Sequence, residues 1–395
     1  MISRRLYGYP SLYGYPRPDG QYGIRNLVGV ISTVACANEI ALRIVQRVPG
    51  AVGFYHQQGC GQTVKDLAEV KRILVNLGKH PNLSGVLVVG LGCEGVPADD
   101  VAAEIALSGK PVQRILLHEE KGLKAAIAAG VRLTKDLVAQ ARKLKRRPFP
   151  VQQLVVGLKC GSSDATSGLI SNPVVGLLSD RLVSAGATVI FSETTELLGA
   201  EEILASRSID KTVSKALLET VQAMEERIIR TGFDIRGGQP SQGNLKGGIT
   251  TIEEKSLGAI AKAGSTPLQE VTRYGQRPQH QGLVLMDGPG REPEAVTGLA
   301  AAGAHLIVFT TGRGAPQGFP FVPVLKVSAN PTTALDLKEH IDLDLSAVLS
   351  GEMSLTEAEN VLWDKVEKVI NGQKVAAERN RYYTFNDIYV TGPVL

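Results

Sequence analysis

The chain has 395 residues, of which 43% are hydrophobic and 21% charged, and a net charge of +4. Such a length asks for two or three domains, and the composition excludes a disordered chain. The small net charge argues against a broad nucleic-acid surface, and the one basic run, Arg142 to Arg147, reads as a solvated helix end and linker.

The opening "MISRRLYGYPSLYGYPRPDG" lacks the apolar core of a signal peptide. With no run approaching the ~18 apolar residues of a membrane span, the expected location is the cytoplasm, where cysteines stay reduced and serve metals or catalysis rather than disulfides. The "LYGYP" echo at 6–10 and 12–16 has no regular periodicity, and residues 1–24 read as an N-terminal surface arm. Strands and helices then alternate. Strands are expected at 26–32, 51–56, 84–92 and 111–118, with helices over 37–48, 63–78 and 98–109 and a long one from Gly122 to about Lys145. Continuous apolar strands, each followed by a helix, predict a parallel sheet covered on both faces.

The two prolines of "RRPFPVQ" mark a boundary, giving a first α/β domain over 25–148 and a second over 149–395. In the second, strands are expected at 153–159, 187–193, 282–288 and 304–312. A helix is expected over 200–230, a glycine-rich loop at "GGQPSQGNLKGG", and after Pro323 a less regular stretch, a helix at 356–371 and a tail packed on one domain. The fold class is therefore α/β, with two doubly wound, mainly parallel sheets.

Cys36, Cys60, Cys93 and Cys160 all fall just past the carboxyl ends of predicted parallel strands, where ligands bind in open α/β sheets. Their intervals of 24, 33 and 67 residues contain no C-x-x-C, so only the fold can assemble a shared site. Thiolates suit iron, either as an iron–sulfur cluster or as mononuclear Fe(II) completed by His56 and carboxylates, with Mn(II) the alternative ion. "LVVGLGCEG" (87–95) and "LVVGLKCGS" (154–162) repeat one phrase, one copy in each domain. That repeat predicts that Cys93 and Cys160 meet across a cleft with Glu94 alongside. Other candidates on these rims are Asp164, Asn172, Glu193 and Arg313. Arg25 and Asn26 sit at a strand start, where Arg25 can clamp a carboxylate, and Asn244 and Lys246 lie in the glycine-rich loop.

Seven ordered blocks, "PDGQYGIRN", "HQQGCGQ", "VLVVGLGCE", "LKCGSSDATSGLISNPVVG", "SETTELLGAEEIL", "PSQGNLKGGITTIEEKSLGAIAKAG" and "VFTTGRGAPQG", resemble the large catalytic portion of the altronate and galactarate dehydratases. The resemblance runs from about residue 17 to about 345. It implies a hydro-lyase that removes water from a sugar acid to give a 2-keto-3-deoxy acid, with Fe(II) as the metal. Cys60, Cys93 and Cys160 are then the metal or cluster ligands, with Cys36 a fourth. His56 or Glu94 is base or ligand, Arg25 or Arg313 holds the carboxylate, and Asn244 assists. Asn26, Asp164, Asn172, Glu193 and Lys246 complete the substrate site. Family members often carry a small N-terminal domain, which implies a separate small subunit as partner here, in a homo-oligomer. Leu245 and Ser162 stand where the family has lysine and glycine, which bears on the substrate. Two rival readings are the large subunit of a sulfolactate sulfo-lyase, releasing sulfite, and a non-catalytic α/β binding protein whose cysteines only pack.

Overall fold

The computed structural model describes residues 12–395. Two parallel sheets organise it, and the α/β class expected from the sequence is what the chain adopts. The smaller sheet has the order β4-β3-β5-β6, from β3 (Leu27–Ser32), β4 (Ala51–Phe54), β5 (Leu83–Gly90) and β6 (Val112–Leu116). Helices α1 (Asn38–Val45) and α4 (Leu123–Ala141) cover one face, and α2 (Val64–Gly78) and α3 (Ala98–Ala106) the other. The chain leaves β3 toward β4 on one side and returns to β5 on the other. The loops after β3 and β5 therefore part at a topological switch point, the usual ligand crevice of such sheets.

The larger sheet is seven-stranded and parallel. Its order is β10-β11-β9-β8-β12-β13-β14, from β8 (Val155–Gly161), β9 (Thr188–Phe191), β10 (Leu268–Thr272), β11 (Gly282–Met286), β12 (Leu306–Thr311), β13 (Val324–Ser328) and β14 (Leu343–Asp344). Its switch point lies between β8 and β12. The two sheets share a core in which Ile73 and Leu74 of α2 belong to the same apolar cluster as Leu299 and Ala300 of α11 (Glu292–Ala301). At the amino ends of the strands Asn82 donates to the carbonyls of His305 and Phe321, 2.9 Å each, and so ties β5 to the start of β12.

Five sequence expectations need correction. The second "LYGYP" is a strand, β1 (Leu12–Pro16), paired antiparallel with β2 (Tyr22–Gly23) and β7 (Arg147–Phe149); the first copy lies outside the described residues. Arg146 is no solvated linker, since its guanidinium bonds the carbonyls of Tyr13, Ile24 and Ile370. The expected helix over 200–230 is two, α6 (Glu201–Ser206) and α7 (Lys211–Ile229), because Asp210 caps the second by accepting from Thr212 and Val213 N–H. The stretch after Pro323 opens with the buried strand β13. The tail, expected on one domain, touches both: Arg291 pairs with Asp387 at 2.9 Å, while the next residue, Ile388, accepts from Gln58 of the small sheet's rim at 3.1 Å.

Candidate active site

The carboxyl end of β8 carries Lys159, Cys160 and Gly161, followed by Ser162 and Ser163. Beside it β9 runs into Glu193, held in left-handed backbone at φ 78°. Ser162 is left-handed too, at φ 51°. Non-glycine residues in this region carry strain, and such strain gathers at functional sites.

Beneath this rim lies a buried ionic network. Lys262, at the end of the segment after α10 (Ile252–Ile260), places Nζ 2.8 Å from Glu193 Oε2 and donates to Cys160 Sγ at 3.2 Å. Lys159 contacts the other Glu193 oxygen and donates to the Gly290 carbonyl at 3.0 Å. The Cys160 thiol donates to Glu196 Oε2 at 3.1 Å, and Lys255 holds Glu196 Oε1 at 3.2 Å. Glu193, Lys262 and Cys160 are at most 1% exposed. Burial and the two carboxylates push the Cys160 thiol well above its ordinary range, against the pull of Lys262 and Lys159, so it stays protonated at neutral pH. Burial would raise Glu196, but Lys255, Lys159 and Lys262 outweigh it and hold the carboxyl down at about 2.

Two cavities flank the network. One, of about 560 Å3, is lined by Cys160, Ser162, Glu196, Asn244, Lys255 and Arg291 among others. The other, of about 550 Å3, shares Cys160, Ser163 and Lys255 and adds Asp164 and Asn172. Both are of a size that takes a small organic ligand.

Cys160, Glu193 and Glu196 are, among the described residues, the one set of three His, Cys, Asp or Glu donors within 4.8 Å of one another. A thiol and two carboxylates suit a divalent ion of borderline softness, so this set could hold a metal. Lys262 is the group such an ion would displace, because it touches both Glu193 and Cys160.

The structure divides the other sequence candidates. Asn244 is at the first cavity; it caps α9 (Gln242–Lys246) and donates to the Ser163 carbonyl at 2.9 Å. Arg313 stands close by, its backbone N–H on the Ser162 carbonyl and Nη1 on the Gly243 carbonyl, 3.1 Å each. Asp164 is consumed within its own loop by Thr166 and Ser167 and by Asn330, and Asn172 ties Thr310 to Gly258. Lys246 is exposed and lines neither large cavity.

Four candidates have their polar groups engaged by the protein itself. Arg25 and Asn26 lie at the amino ends of the strands, opposite the rim. Arg25 forks onto Glu378 at 2.7 and 2.9 Å and donates to the carbonyls of Ile24, Val369 and Gln373, while Asn26 joins Arg17 to the Ala141 carbonyl. His56 has both ring nitrogens in use, 2.8 Å from the Ser32 carbonyl and 3.1 Å from Gln58 N–H, and burial lowers its pKa to about 4. Glu94 accepts from the N–H groups of Leu91, Gly92 and Cys93 and from Thr33 Oγ1. Burial works against its charge, but those bonds keep the carboxyl below the usual range. The expected meeting of Cys93 with Cys160 is not formed: Cys93 is exposed, lines neither Cys160 cavity and shares no donor set with it.

Lys159, Lys255, Lys262 and Glu196 escaped sequence reasoning. Two were readable, since Lys159 in "LVVGLKC" and Lys262 in "AIAKAG" each interrupt an apolar run, and a lysine there needs a buried counter-charge.

Family models for the galactarate/altronate dehydratases match at both sheets: the second domain over residues 14–142 and the C-terminal part over 151–392. The chain belongs to the D-galactarate/altronate dehydratase family. Among curated relatives it is 37% identical to an altronate dehydratase of Bacillus subtilis, over 93% of this chain and 76% of that protein. It is also 35% identical to galactarate dehydratase (L-threo-forming) of Escherichia coli, over 93% of this chain and 74% of the relative. A third relative of this dehydratase family, (2R)-sulfolactate sulfo-lyase subunit beta of Chromohalobacter salexigens, is 37% identical over 93% of this chain and 94% of its own length.

Proposed function

We propose that this chain is a carbon–oxygen lyase that removes water from a sugar acid to give a 2-keto-3-deoxy acid. The observation that carries the reading is the buried lysine–carboxylate–thiol network at the carboxyl ends of β8 and β9, beside a cavity of about 560 Å3, in a chain of this dehydratase family. The reaction takes a proton from the carbon beside a carboxylate and expels a hydroxide from the next carbon. Lys255 and Arg291 stand on the cavity wall, where they can meet the carboxylate of an anionic substrate. The Lys262 ammonium, fixed by Glu193, faces the thiol side of the network, where it stabilises negative charge without reorganising. Asn244 and the Ser162–Ser163 turn orient hydroxyls. A divalent iron held by Cys160, Glu193 and Glu196 would take the place of the Lys262 ammonium there and would itself supply the positive charge, as a Lewis acid for the leaving hydroxyl.

The sulfo-lyase reading keeps one specific support: this chain is 37% identical to the sulfo-lyase β subunit, as it is to the altronate dehydratase of Bacillus subtilis. Because that relative is named as one subunit of its enzyme, we propose a separate small subunit as partner. The deciding experiment gives the anaerobic, Fe(II)-treated protein a panel of aldonates and aldarates, and separately sulfolactate, and measures 2-keto acid and sulfite. Keto acid from a sugar acid is expected. Sulfite from sulfolactate with no turnover of any sugar acid would overturn the hydro-lyase reading.

A further inference from the structure

Three of the four cysteines remain outside the network just described, and the fold gathers them at the small sheet's switch point. Cys36 follows β3, Cys60 follows β4 and Cys93 follows β5, on three neighbouring strands, and all three are exposed. Their loops are stitched together. Ala35 N–H donates to the Gln58 carbonyl and Gly95 N–H to the Gly59 carbonyl, 2.9 Å each. Gly59, at φ 110°, lies so close to the β3 loop that a Cβ would stand 2.2 Å from the Thr33 carbonyl oxygen. Glu94 gathers the N–H groups of the Cys93 turn and binds Thr33, so it fixes the loops after β5 and β3 to one another.

The donors available there are sulfur alone, because His56 and Glu94, the nearest candidates of other kinds, are fully engaged. A set of thiolates selects zinc, copper(I) or an iron–sulfur cluster. The three thiols do not lie within 4.8 Å of one another, so they are not set for one shared ion. A cluster of several irons holds its cysteines farther apart than a single ion does. A second observation points the same way. Gln62, two residues after Cys60 and 6% exposed, uses its carbonyl to hold Gly59 N–H at 2.9 Å and leaves its amide Nε2 buried without a partner. Such a donor suits the sulfurs of a cluster, which accept hydrogen bonds.

We propose that Cys36, Cys60 and Cys93 hold a four-iron iron–sulfur cluster at the small sheet's switch point, a centre separate from the Cys160 network. Each thiol releases its proton to solvent as its sulfur bonds an iron, with no change of oxidation state. Three protein ligands leave one iron with an open position for an oxygen ligand from outside. The centre deepens the lyase reading, but its test does not depend on it, because metal content is independent of which acid is turned over.

The full chain is reconstituted anaerobically with equal amounts of ferrous and ferric iron and with sulfide, desalted, and assayed for iron, acid-labile sulfide and visible charge-transfer absorption. About four sulfides per chain are expected, with about four irons beyond any that the Cys160 set retains. Cys36→Ser, Cys60→Ser and Cys93→Ser should each lose most of the sulfide and absorption, and Cys160→Ser should retain both. Far-UV circular dichroism like the wild type's separates ligand loss from unfolding, which exposed positions make a small risk. Iron without sulfide, no retained iron, or a Cys160→Ser loss equal to that of Cys93→Ser would overturn the proposal.

Discussion

Replacing Lys262 with methionine keeps most of the side chain's volume and removes one buried charge. Its Nζ serves Glu193 Oε2 at 2.8 Å and Cys160 Sγ at 3.2 Å, and it is fully buried. Removing one partner of a buried pair costs about 3–5 kcal/mol, chiefly because the remaining charge is left uncompensated. Lys159 stays on the other Glu193 oxygen, which puts the expected loss at the lower end, about 3 kcal/mol. In a second domain of this size that corresponds to a fall in Tm of about 6–12 °C. Urea unfolding of Lys262→Met, Glu193→Gln and the double variant forms the assay. If the network is as described, the double variant costs less than the sum of the singles by at least about 1 kcal/mol. Additivity within about 0.5 kcal/mol would refute the pairing. Catalysis gives an independent reading: kcat on the turned-over acid should fall by at least ~10²-fold, the loss typical of one preorganised charge-stabilising donor.

Other consequences can be measured on the same protein. Arg25→Met should destabilise by about 3 kcal/mol through the orphaned Glu378, yet leave kcat/KM unchanged well below the melting temperature, which separates it from the active site. Ser162→Gly should relieve a left-handed strain and stabilise by about 1 kcal/mol, read as a higher urea midpoint. Acid stability should fall in two windows. His56 and His305 are depressed from 6.5 to about 4, so the stability they contribute is complete above 6.5 and drains as pH falls toward 4. Glu196, depressed from 4.5 to about 2, loses its contribution over that lower interval, and Glu196→Gln should flatten the second window alone.

Strand order and chemistry were legible to different degrees. The apolar runs of β3, β5, β8 and β12 declare themselves because parallel strands are buried on both faces. The strand β13, "VLKVS", was missed because Lys326 interrupts it, and its ammonium rests on the Phe309 ring at 3.5 Å instead of reaching water. The placing of Cys36, Cys60 and Cys93 just past strand ends was readable, since a carboxyl end is a local property of a strand. Which ends share a crevice is not local. It depends on where the strand order reverses, and that is decided by crossovers tens of residues long. The engagement of Arg25 and His56 was not readable for a related reason: the carbonyls and the carboxylate that take up their donors come from elsewhere in the chain, Glu378 most distantly.

The division of the cysteines into three and one has a chemical logic. Cys160 is 1% exposed among two carboxylates, where burial holds its proton on. A thiol in that state is a hydrogen-bond donor, and it becomes a thiolate only if a cation replaces the proton. Cys36, Cys60 and Cys93 face solvent, where an iron can reach each sulfur from outside. Consecutive residues of the tail join the two places, Asp387 to Arg291 on the wall of the Cys160 cavity and Ile388 to Gln58 beside Cys60. Cutting the first link with Asp387→Asn leaves every thiol untouched. It should loosen Arg291 and raise KM for an acidic substrate severalfold, while iron and sulfide content stay at the wild-type level. A loss of iron in that variant would mean that the tail, rather than the loops after β3, β4 and β5, sets the geometry of the three exposed thiols.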